Sequence, residues 1–453
     1  MKPLPLLRTA LTQLYLATVL LSISLLGSTP SHAEESLIGN AVKKGDVKEI
    51  KQIIANTKNL NPDELGAALF EAAKQGNFET FKILISAGAN ANYSFPCRGK
   101  GCPSYTVLFA AVESGDIRLV KLLIEKGADP NGGWYSGSAI GAVKIAINHN
   151  QLEMVKLLVN AGGWVRPNMI SSAAVVGNVE MIKYLIAGGV IPFPTNEQAF
   201  NPEDKRFMSL GPAQMARMLE DESDIAWQYT DPIASACLYG QRDAFNYLLG
   251  LVKDHPQKQE ILNWAIFLVA NSRPKTAAYN DSEKTRLELA EELIQAGADI
   301  NAYQPNFVEY ENAFKRKMTP FQMAIYRHEL NLVSIFIKYK PNLELNATQQ
   351  IFNGKNEEEL KMTTLELANY SMVEATKLLT DSMKSSQSTT DMVAKEKKDI
   401  EALASDDPEK QARIDGLHKY DEVLTAFKEN HKFYIKQATN SGKIVILLRK
   451  YGH

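Results

Sequence analysis

Hydrophobic positions recur along this chain in a pattern that predicts pairs of short helices. The clearest copy runs from Thr106 to Asn131, TVLFAAVESGDIRLVKLLIEKGADPN. Thr106 is placed to cap a first helix with an apolar inner face, and Gly115-Asp116 turns the chain into a second helix. Gly127 is expected to end that second helix, because glycine takes a left-handed backbone conformation at no steric cost.

The same frame recurs along most of the chain. Each predicted helix has roughly 8 to 10 residues, fewer than the ~12 to 15 needed for marginal helicity in water, so each pair must bury its apolar faces against neighbouring pairs. The turn positions of the other clear copies are Gly45, Gly76, Asn150, Gly177 and Gly240. Looser copies end at Asn301, turn at His328 and lie near residue 370. We therefore predict about nine helix pairs over residues 36–380.

The clearest copy resembles the ankyrin repeat, which combines a Thr-Pro helix start, paired alanines, a glycine turn, a Val-x-x-Leu-Leu helix and a Gly-Ala-Asp-x-Asn exit. The Thr-Pro start is intact at Thr319-Pro320, and Asp231-Pro232 is close to it. The resemblance implies an all-α ankyrin-repeat solenoid of helix pairs with β-hairpin fingers and a helical C-terminal cap. The histidine that usually follows Thr-Pro-Leu is replaced in every copy, which should weaken individual capping networks. The replacing residues are Phe70, Phe109, Lys144, Ser171, Ala234 and Gln322.

The amino-terminal residues predict an export signal. Lys2 and Arg8 precede an apolar run of about 13 residues, and a Ser-His-Ala motif ending at Ala33 places small residues at both cleavage-defining positions. We predict that residues 1–33 are a signal peptide and that the mature protein is periplasmic or secreted. An uncleaved anchor is the less favoured alternative, because a spanning helix needs ~20 apolar residues. No membrane insertion is expected after cleavage, since no later segment could span a bilayer.

The charge balance argues against one class of partner. The full chain has 50 basic and 52 acidic side chains. Removal of residues 1–33 takes away two basic side chains and no acidic ones, which leaves 48 against 52 and a net charge of −4. Proteins that bind a phosphate backbone present an excess of Lys and Arg, so no nucleic-acid partner is expected.

Two of the three cysteines lie close together. Cys97 and Cys102 are in SFPCRGKGCPSY, between the second and third copies, where ankyrin-like proteins project a hairpin finger. The intervening residues include two glycines, and an exported protein meets an oxidising compartment, so we predict a disulfide. Half a zinc site has the same spacing, but no second Cys pair or nearby His completes it. Cys237 falls at an alanine position of its copy and is expected to be a buried core residue.

Aromatic residues recur in the segments between helix pairs. Successive fingers of a solenoid lie side by side, so these side chains can form one strip of the residue types that dominate binding hot spots. The alternative is that they stack on each other and cover repeat junctions. The predicted protein-binding residues are Tyr93, Phe95, Arg98, Lys100, Trp134, Tyr135 and Trp164. Further aromatics of the same kind are Tyr105, Phe193, Tyr303, Phe307 and Tyr310.

The regular array is interrupted twice. An insertion over 191–229, with one predicted helix over 212–220, separates amino-terminal repeats (34–190) from carboxy-terminal repeats (230–380). A polar segment over 271–282 lengthens one later repeat between its two helices. Insertions of this kind often lie on a binding face, but they can equally be tolerated loops.

After the repeats, residues 381–453 are predicted to form a linker and a helical cap. The polar SSQSTT sequence, Ser385 to Thr390, suggests the linker. The final apolar run, KIVILLRKY from Lys443 to Tyr451, is expected to dock as a strand or a helix. Terminal repeats expose an apolar end, so a cap is favoured over an independent domain. A predicted amphipathic helix between these segments carries Ile414, Leu417, Tyr420, Leu424 and Phe427.

Motifs for catalysis are absent from the sequence. No Gly-x-Ser-x-Gly elbow, phosphate loop or dinucleotide fingerprint is present, and no histidine lies within four residues of another histidine in the mature chain. We predict no catalytic residue, no metal and no cofactor. The expected function is an exported, monomeric, protein-binding scaffold, with an inhibitor or immunity protein of a toxic effector as its specific form. The alternative is an enzyme or enzyme-associated factor whose activity lies in the 191–229 insertion or in the tail.

Overall fold

A computed structural model of the chain shows a largely helical protein. The chain divides into two compact units, Met1–Trp164 and Val165–His453, called here the amino-terminal and the carboxy-terminal unit. The residues that the structure describes are 36–57, 60–95, 105–131, 141–165, 168–193, 231–271, 277–303, 316–353, 356–401 and 432–451.

The described part of the amino-terminal unit consists of helix pairs and one hairpin. The first helices of successive pairs pack against each other, α1 on α3, α3 on α5 and α5 on α7. The pairs are α1 (Leu37–Lys44) and α2 (Val47–Asn56), α3 (Pro62–Lys74) and α4 (Phe78–Ser86), α5 (Val107–Ser114) and α6 (Ile117–Glu125), and α7 (Ala142–Asn148) and α8 (Leu152–Asn160). The hairpin, β1 (Ser94–Phe95) with β2 (Tyr105–Thr106), is antiparallel and connects the second pair to the third.

The carboxy-terminal unit continues the same arrangement. Its pairs are α9 (Asn168–Val175) and α10 (Val179–Ala187), α11 (Pro232–Leu238) and α12 (Arg242–Val252), α13 (Lys258–Asn271) and α14 (Ala277–Gln295), and α15 (Pro320–Tyr326) and α16 (Leu330–Lys338). A three-stranded antiparallel sheet has the order β3 (Arg316–Lys317), β4 (Ala347–Asn353), β5 (Asn356–Met362). A long helix, α17 (Thr364–Glu401), and a last helix, α18 (432–451), complete the described part.

In every pair whose turn the structure describes, that turn uses one residue with a left-handed backbone. The angle φ is +69° at Gly45 and +78° at Gly115, and the exit glycine Gly127 has φ of +79°. The predicted turns without glycine have the same conformation, with φ of +58° at Asn150 and +64° at His328. The other predicted turns with positive φ are Gly76, Gly177 and Gly240. The repeat frame is therefore confirmed at each of these turns.

The core of each pair is built from both helices, and the first helices add alanines to their larger apolar residues. Ala72, Ala73 and Ala111, on first helices, have no exposed surface, and their small side chains let neighbouring first helices approach closely. Phe81 and Leu123, on second helices, are equally buried and fill the space behind them. Because helices this short are marginal in isolation, burial against neighbouring helices stabilises them.

The capping network of α15 is complete although the family's histidine is missing there. The Gln322 backbone N–H donates to Thr319 Oγ1 at 3.2 Å, and the Thr319 N–H donates to Gln322 Oε1 at 3.0 Å. The Gln322 Nε2 group also donates to the Leu345 carbonyl at 2.6 Å. The expected weakening of the capping network is therefore wrong for this copy, because an amide supplies both a donor and an acceptor.

The predicted ninth helix pair and the predicted linker are both wrong. Helix α17 packs against α15 in the manner of a first helix, but it continues for 38 residues without a turn. It passes through Ser385 to Thr390, which therefore form no linker. The range 364–401 contains neither Gly nor Pro, so no residue in it interrupts the helix, and Ser, Thr and Gln cost only tenths of a kcal/mol each.

The hairpin of β4 and β5 was not expected from the sequence. Its register pairs Ala347 with Met362 and Asn353 with Asn356, so two residues connect the strands. The signal for it is present, since the two connecting positions are Gly354 and Lys355, and glycine at the first position is typical of two-residue hairpin loops. The hairpin was missed because the sequence on both sides of it has helical spacing.

The two interruptions have different outcomes. The polar segment over 271–282 lies largely in helix, because α14 begins at Ala277 and runs for 19 residues. The larger insertion lies mostly outside the described residues, from 194 to 230, together with its predicted helix. The predicted amphipathic helix around Leu417 also lies outside them.

The last apolar run forms a helix, α18, within the carboxy-terminal unit. Its buried residues follow helical spacing and lie on one face: Gln437, Ser441, Ile444, Val445 and Leu448. The Ser441 hydroxyl is 2.7 Å from His328 Nδ1, and Asn440 Nδ2 donates to the His328 carbonyl at 3.1 Å. Helix α18 therefore docks on the turn of the last helix pair.

Candidate protein-binding site

The finger of the amino-terminal unit, whose base is the hairpin of β1 and β2, leads directly into the start of helix α5. Ser94 pairs with Thr106, and Phe95 pairs with Tyr105. Thr106 ends strand β2 and also caps α5, because its Oγ1 accepts the Phe109 N–H at 3.3 Å. The base of the finger is thus attached rigidly to the third helix pair.

Aromatic packing occupies the base of this finger. The partly exposed ring of Tyr105 makes edge-to-face contacts with Phe70, at 5.7 Å between ring centroids, and with the buried Phe109, at 6.1 Å. Such contacts stabilise the arrangement beyond the area that they bury. At this position the alternative prediction, that aromatics stack on each other at repeat junctions, describes the structure.

Tyr93 does not belong to an exposed strip. Only 9% of it is exposed, and its ring packs so closely on Gly66 of α3 that no Cβ would fit there. Burial raises the pKa of the Tyr93 hydroxyl, and the nearby Asp63 carboxylate raises it further. Phe193 is also buried, with its ring centroid 6.4 Å from that of His255. The sequence pattern could not separate these core aromatics from exposed ones.

An asparagine ladder fixes the exits of the second, third and fourth pairs. The Asn92 side chain donates to the Gly127 carbonyl at 3.0 Å and accepts the Asp129 N–H at 2.8 Å. Asn131 repeats this one pair later: it donates to the Gly162 carbonyl at 2.9 Å and accepts the Trp164 N–H at 2.8 Å. Consecutive exits are therefore held side by side at a fixed spacing.

The ladder places Trp164 at the position that Asp129 holds one repeat earlier. Its backbone is tied down while 39% of the residue remains exposed. A large aromatic side chain on a fixed backbone loses little entropy on binding, which is the property of a hot-spot residue. Of the predicted binding residues, Trp164 is the one that the structure describes as exposed.

Sequence reasoning missed the role of the ladder asparagines. Asn92, Asn131 and Asn301 each stand four residues after an exit glycine, and Asn301 Oδ1 accepts the Asn342 N–H at 2.7 Å in the carboxy-terminal unit. The same unit ties Tyr303 to its neighbour, since the Tyr303 hydroxyl donates to the Asn346 carbonyl at 3.1 Å. The recurring glycine-to-asparagine spacing is the signal that could have identified the ladder.

Most of the predicted finger residues lie outside the described residues. Phe95 is placed by its backbone pairing alone. Those outside are Arg98, Lys100, Trp134 and Tyr135, the cysteines Cys97 and Cys102, and the aromatics Phe307 and Tyr310. The binding residues therefore remain predictions, apart from the positions reported for Tyr93 and Trp164.

Cys237 is a buried free thiol in the carboxy-terminal unit. Its Sγ donates to the Arg286 carbonyl at 3.6 Å, and burial raises the pKa of the thiol to about 12. A thiol in this state is a packing residue, because the reactive form is the thiolate. Within the described ranges, no three His, Cys, Asp or Glu side chains form a group that could hold a metal ion.

Repeated helix pairs, left-handed turns and the hairpin define the class of this fold as an all-α ankyrin-repeat solenoid. In agreement, residues 31–133 match the family model described as ankyrin repeats, in three copies. Ankyrin repeats are scaffolds for protein–protein interaction and are generally non-catalytic, so they imply a protein partner.

Among solved structures, the crystal structure of the human ASB11 ankyrin repeat domain is similar to this chain. The two are 17% identical, the match covers 66% of this chain and 90% of that one, and the TM-score is 0.29. No curated protein matches the chain. None of the helices in the described ranges has the length and apolar character needed to cross a membrane.

Proposed function

We propose that the chain is exported and binds a partner protein through its amino-terminal unit, as an inhibitor or immunity protein of a toxic effector. The proposed binding surface, called the finger side, is formed by the hairpin of β1 and β2 and by the repeat exits that end at Trp164. The observation that carries the proposal is the asparagine ladder, which holds successive exits side by side and presents Trp164 from a fixed backbone. A surface of this kind is preorganised, so binding costs little conformational entropy.

Site-specific crosslinking tests the location of the binding surface. Trp164 is replaced by a photoreactive phenylalanine analogue in the exporting cell, and Leu251, which is equally exposed at 39% on α12, receives the same analogue as the matched control. We expect one discrete crosslinked protein from position 164 and none from position 251. Identical products from both positions would contradict a site at the finger side.

Affinity for the crosslinked protein tests the energetic role of the finger residues. Loss of a central aromatic commonly costs 2 kcal/mol or more, so Trp164→Ala, Trp134→Ala and Tyr135→Ala should each weaken binding about 30-fold, whereas Leu251→Ala should change it less than threefold. Arg98→Ala and Lys100→Ala should act mainly on association rate and salt dependence. Circular dichroism of each variant first establishes that the array is folded.

The immunity role has a separate test. Cells that lack the gene are grown in contact with parental siblings, and we expect them to be killed unless the protein is supplied in trans. Normal growth of the mutant cells would contradict an immunity role. A crosslinked partner would still support the binding scaffold in that case, so the two levels of the proposal can fail independently.

The finger is also proposed to contain a disulfide between Cys97 and Cys102. Its support is the two-glycine spacing and the oxidising compartment that export implies. Thiol labelling of denatured, unreduced protein should detect one thiol, that of Cys237. In the double Cys→Ser variant the finger over 93–105 should lose on the order of 1 to 3 kcal/mol of stability, because the closed loop is small, while the helical signal is kept. Detection of three thiols would show that the bond is absent.

A further inference from the structure

Helix α18 has two faces of opposite character, and its docking fixes which one points outward. The buried face carries Ser441, whose hydroxyl contacts His328 Nδ1, and three buried aliphatic residues one to two turns later. The neighbouring Asn440 binds the His328 carbonyl. These contacts set the rotation of α18 about its own axis within the carboxy-terminal unit.

The outward face of α18 carries two exposed isoleucines. Ile435 is 45% exposed and Ile446 is 69% exposed. They are eleven residues apart, which at 100° per residue places them within about 20° of each other, with about 16 Å between them along the axis. Thr439 and Gly442 lie between them on this face, so no bulky residue separates the two side chains.

Cations surround these isoleucines along the whole helix. The range 432–451 contains five basic residues and no Asp or Glu, in a chain whose net charge is −2. All five basic side chains are exposed, and by helical geometry they lie within about 100° of the Ile435 direction. They are Lys432, Lys436, Lys443, Arg449 and Lys450. Among the described residues, no ion pair is formed by Lys436, Lys443, Arg449 or Lys450.

We propose that the outward face of α18 is a docking surface for a membrane rich in anionic phospholipid. Charge complementarity identifies the occupant: the cations are spread over the length of the helix and flank two apolar anchors, which is the arrangement of a helix that lies in the plane of a bilayer surface. Lipid phosphates bind the lysines and Arg449, and Ile435 and Ile446 enter the headgroup region.

The geometry favours a lipid surface over an acidic protein. An acidic protein partner would recognise the cations but would need an apolar pocket for each of two isoleucines about 16 Å apart, whereas a bilayer accepts both at once. Each cation near an anionic surface contributes about fivefold to the partition coefficient. This surface belongs to the carboxy-terminal unit, and the finger side belongs to the amino-terminal unit.

Vesicle co-sedimentation of the full chain tests the proposal. The vesicles contain phosphatidylcholine alone, or phosphatidylcholine with about 40% phosphatidylglycerol as the anionic lipid. We expect stronger partitioning into the anionic vesicles, reduced at least tenfold between 0.1 and 0.5 M salt because exposed charges are screened. Residues 1–33 are common to all variants, so the substitutions below report on α18.

Paired variants test whether vesicle binding depends on this face or only on charge and apolar surface anywhere on the chain. Lys436→Glu with Lys443→Glu should lower partitioning by at least about 30-fold, because two cations are lost and two anions, which the surface repels, replace them. The matched control, Lys82→Glu with Lys121→Glu on exposed sites of α4 and α6, makes the same charge change and should have less than a threefold effect. Ile446→Ser should lower partitioning about tenfold, and Val373→Ser, at a site of similar exposure on α17, should not.

Three results would overturn the proposal. Equal partitioning of the α18 variant and its charge-matched control would show that only net charge matters. Equal partitioning into anionic and neutral vesicles would remove the charge complementarity. Binding of the face to polyaspartate without partitioning into anionic vesicles would assign it to an acidic protein. The α18 variants are compared with the parent by circular dichroism. A variant that keeps its helical signal but no longer binds the anionic vesicles supports the proposal.

Discussion

Asp231 is a carboxyl that caps α11 from inside the carboxy-terminal unit. Only 5% of it is exposed, its Oδ1 accepts the Ala234 N–H at 2.7 Å, and burial raises its pKa to about 7 in spite of that bond. The ordinary value is 3.8, so between these two pH values the folded protein holds a proton that the unfolded chain has released. The resulting stability is complete below pH ~4 and is lost as the pH rises through 7.

We predict that Asp231→Asn removes this pH dependence. Asparagine keeps the capping oxygen but cannot titrate, so the variant's free energy of unfolding relative to the parent should rise by on the order of 2 to 3 kcal/mol between pH 5 and pH 8. Urea unfolding at both pH values measures it. Asp46→Asn makes the same change at an exposed cap of α2 and serves as the control. Parallel pH profiles of Asp231→Asn and the parent would refute the prediction.

Gly66 is a helical glycine whose replacement should be harmful. In an open helix, Gly→Ala stabilises by about 1 kcal/mol, and Gly250→Ala on α12 should do so because nothing lies within 4 Å of its added Cβ. At Gly66 the same Cβ would overlap the Tyr93 ring, so we expect a loss of roughly 1 to 3 kcal/mol. Urea unfolding shows whether each substitution stabilises or destabilises the protein, and a Tyr93→Ala background should reduce the loss of stability caused by Gly66→Ala. A stabilised Gly66→Ala protein would mean that Tyr93 does not pack there.

At the scale of elements, α18 and the last helix pair are joined through a turn residue. The His328 backbone takes the left-handed conformation of the turn. Its ring contacts Ser441 of α18, and its carbonyl accepts a hydrogen bond from Asn440 of α18. Glycine or asparagine would serve the turn with less strain. The side chain is therefore explained by its contact with Ser441.

We predict that His328→Asn preserves the turn but loosens α18. Asparagine tolerates the left-handed conformation but lacks the ring nitrogen that meets Ser441, so about 1 kcal/mol of local stability should be lost. Hydrogen exchange over 432–451 should quicken about fivefold, while Asn150→Gly, at the other turn without glycine, should leave that range unchanged. Ser441→Ala should have the same effect, and the double variant should add little. Additive effects would show that the two groups do not interact.

At the scale of the whole molecule, the two units carry two different surfaces. The amino-terminal unit presents the finger side with Trp164, and the carboxy-terminal unit presents the cationic face of α18. The role proposed for the finger side requires export, since the predicted partner and oxidising environment lie outside the cytoplasm, whereas binding of α18 to an anionic membrane does not depend on export.

We predict that the exported protein begins at Glu34. Lys2, Arg8, the apolar run and the small residues before position 34 form the pattern of a cleaved signal. Mass spectrometry of the protein recovered after export measures the amino terminus directly. An intact Met1 would contradict the prediction, and so would recovery of the chain only after detergent extraction.

The sequence by itself determined the repeat frame. Turn positions such as Gly115 and Asn150 were identified because helical spacing, capping residues and left-handed turns are local properties, and each is set within one repeat. The continuous helix α17 also follows from a local property of the sequence, the absence of Gly and Pro. It was missed because the polar sequence around Ser385 resembles a linker.

Only the tertiary structure decided which side chains are covered. Tyr93 and Trp164 are both aromatic residues after a repeat exit, yet one packs on a glycine 27 positions earlier and the other stays exposed on the asparagine ladder. His328 meets a residue 113 positions away. Burial depends on which distant segments come together, and a local pattern of apolar and polar positions does not contain that information.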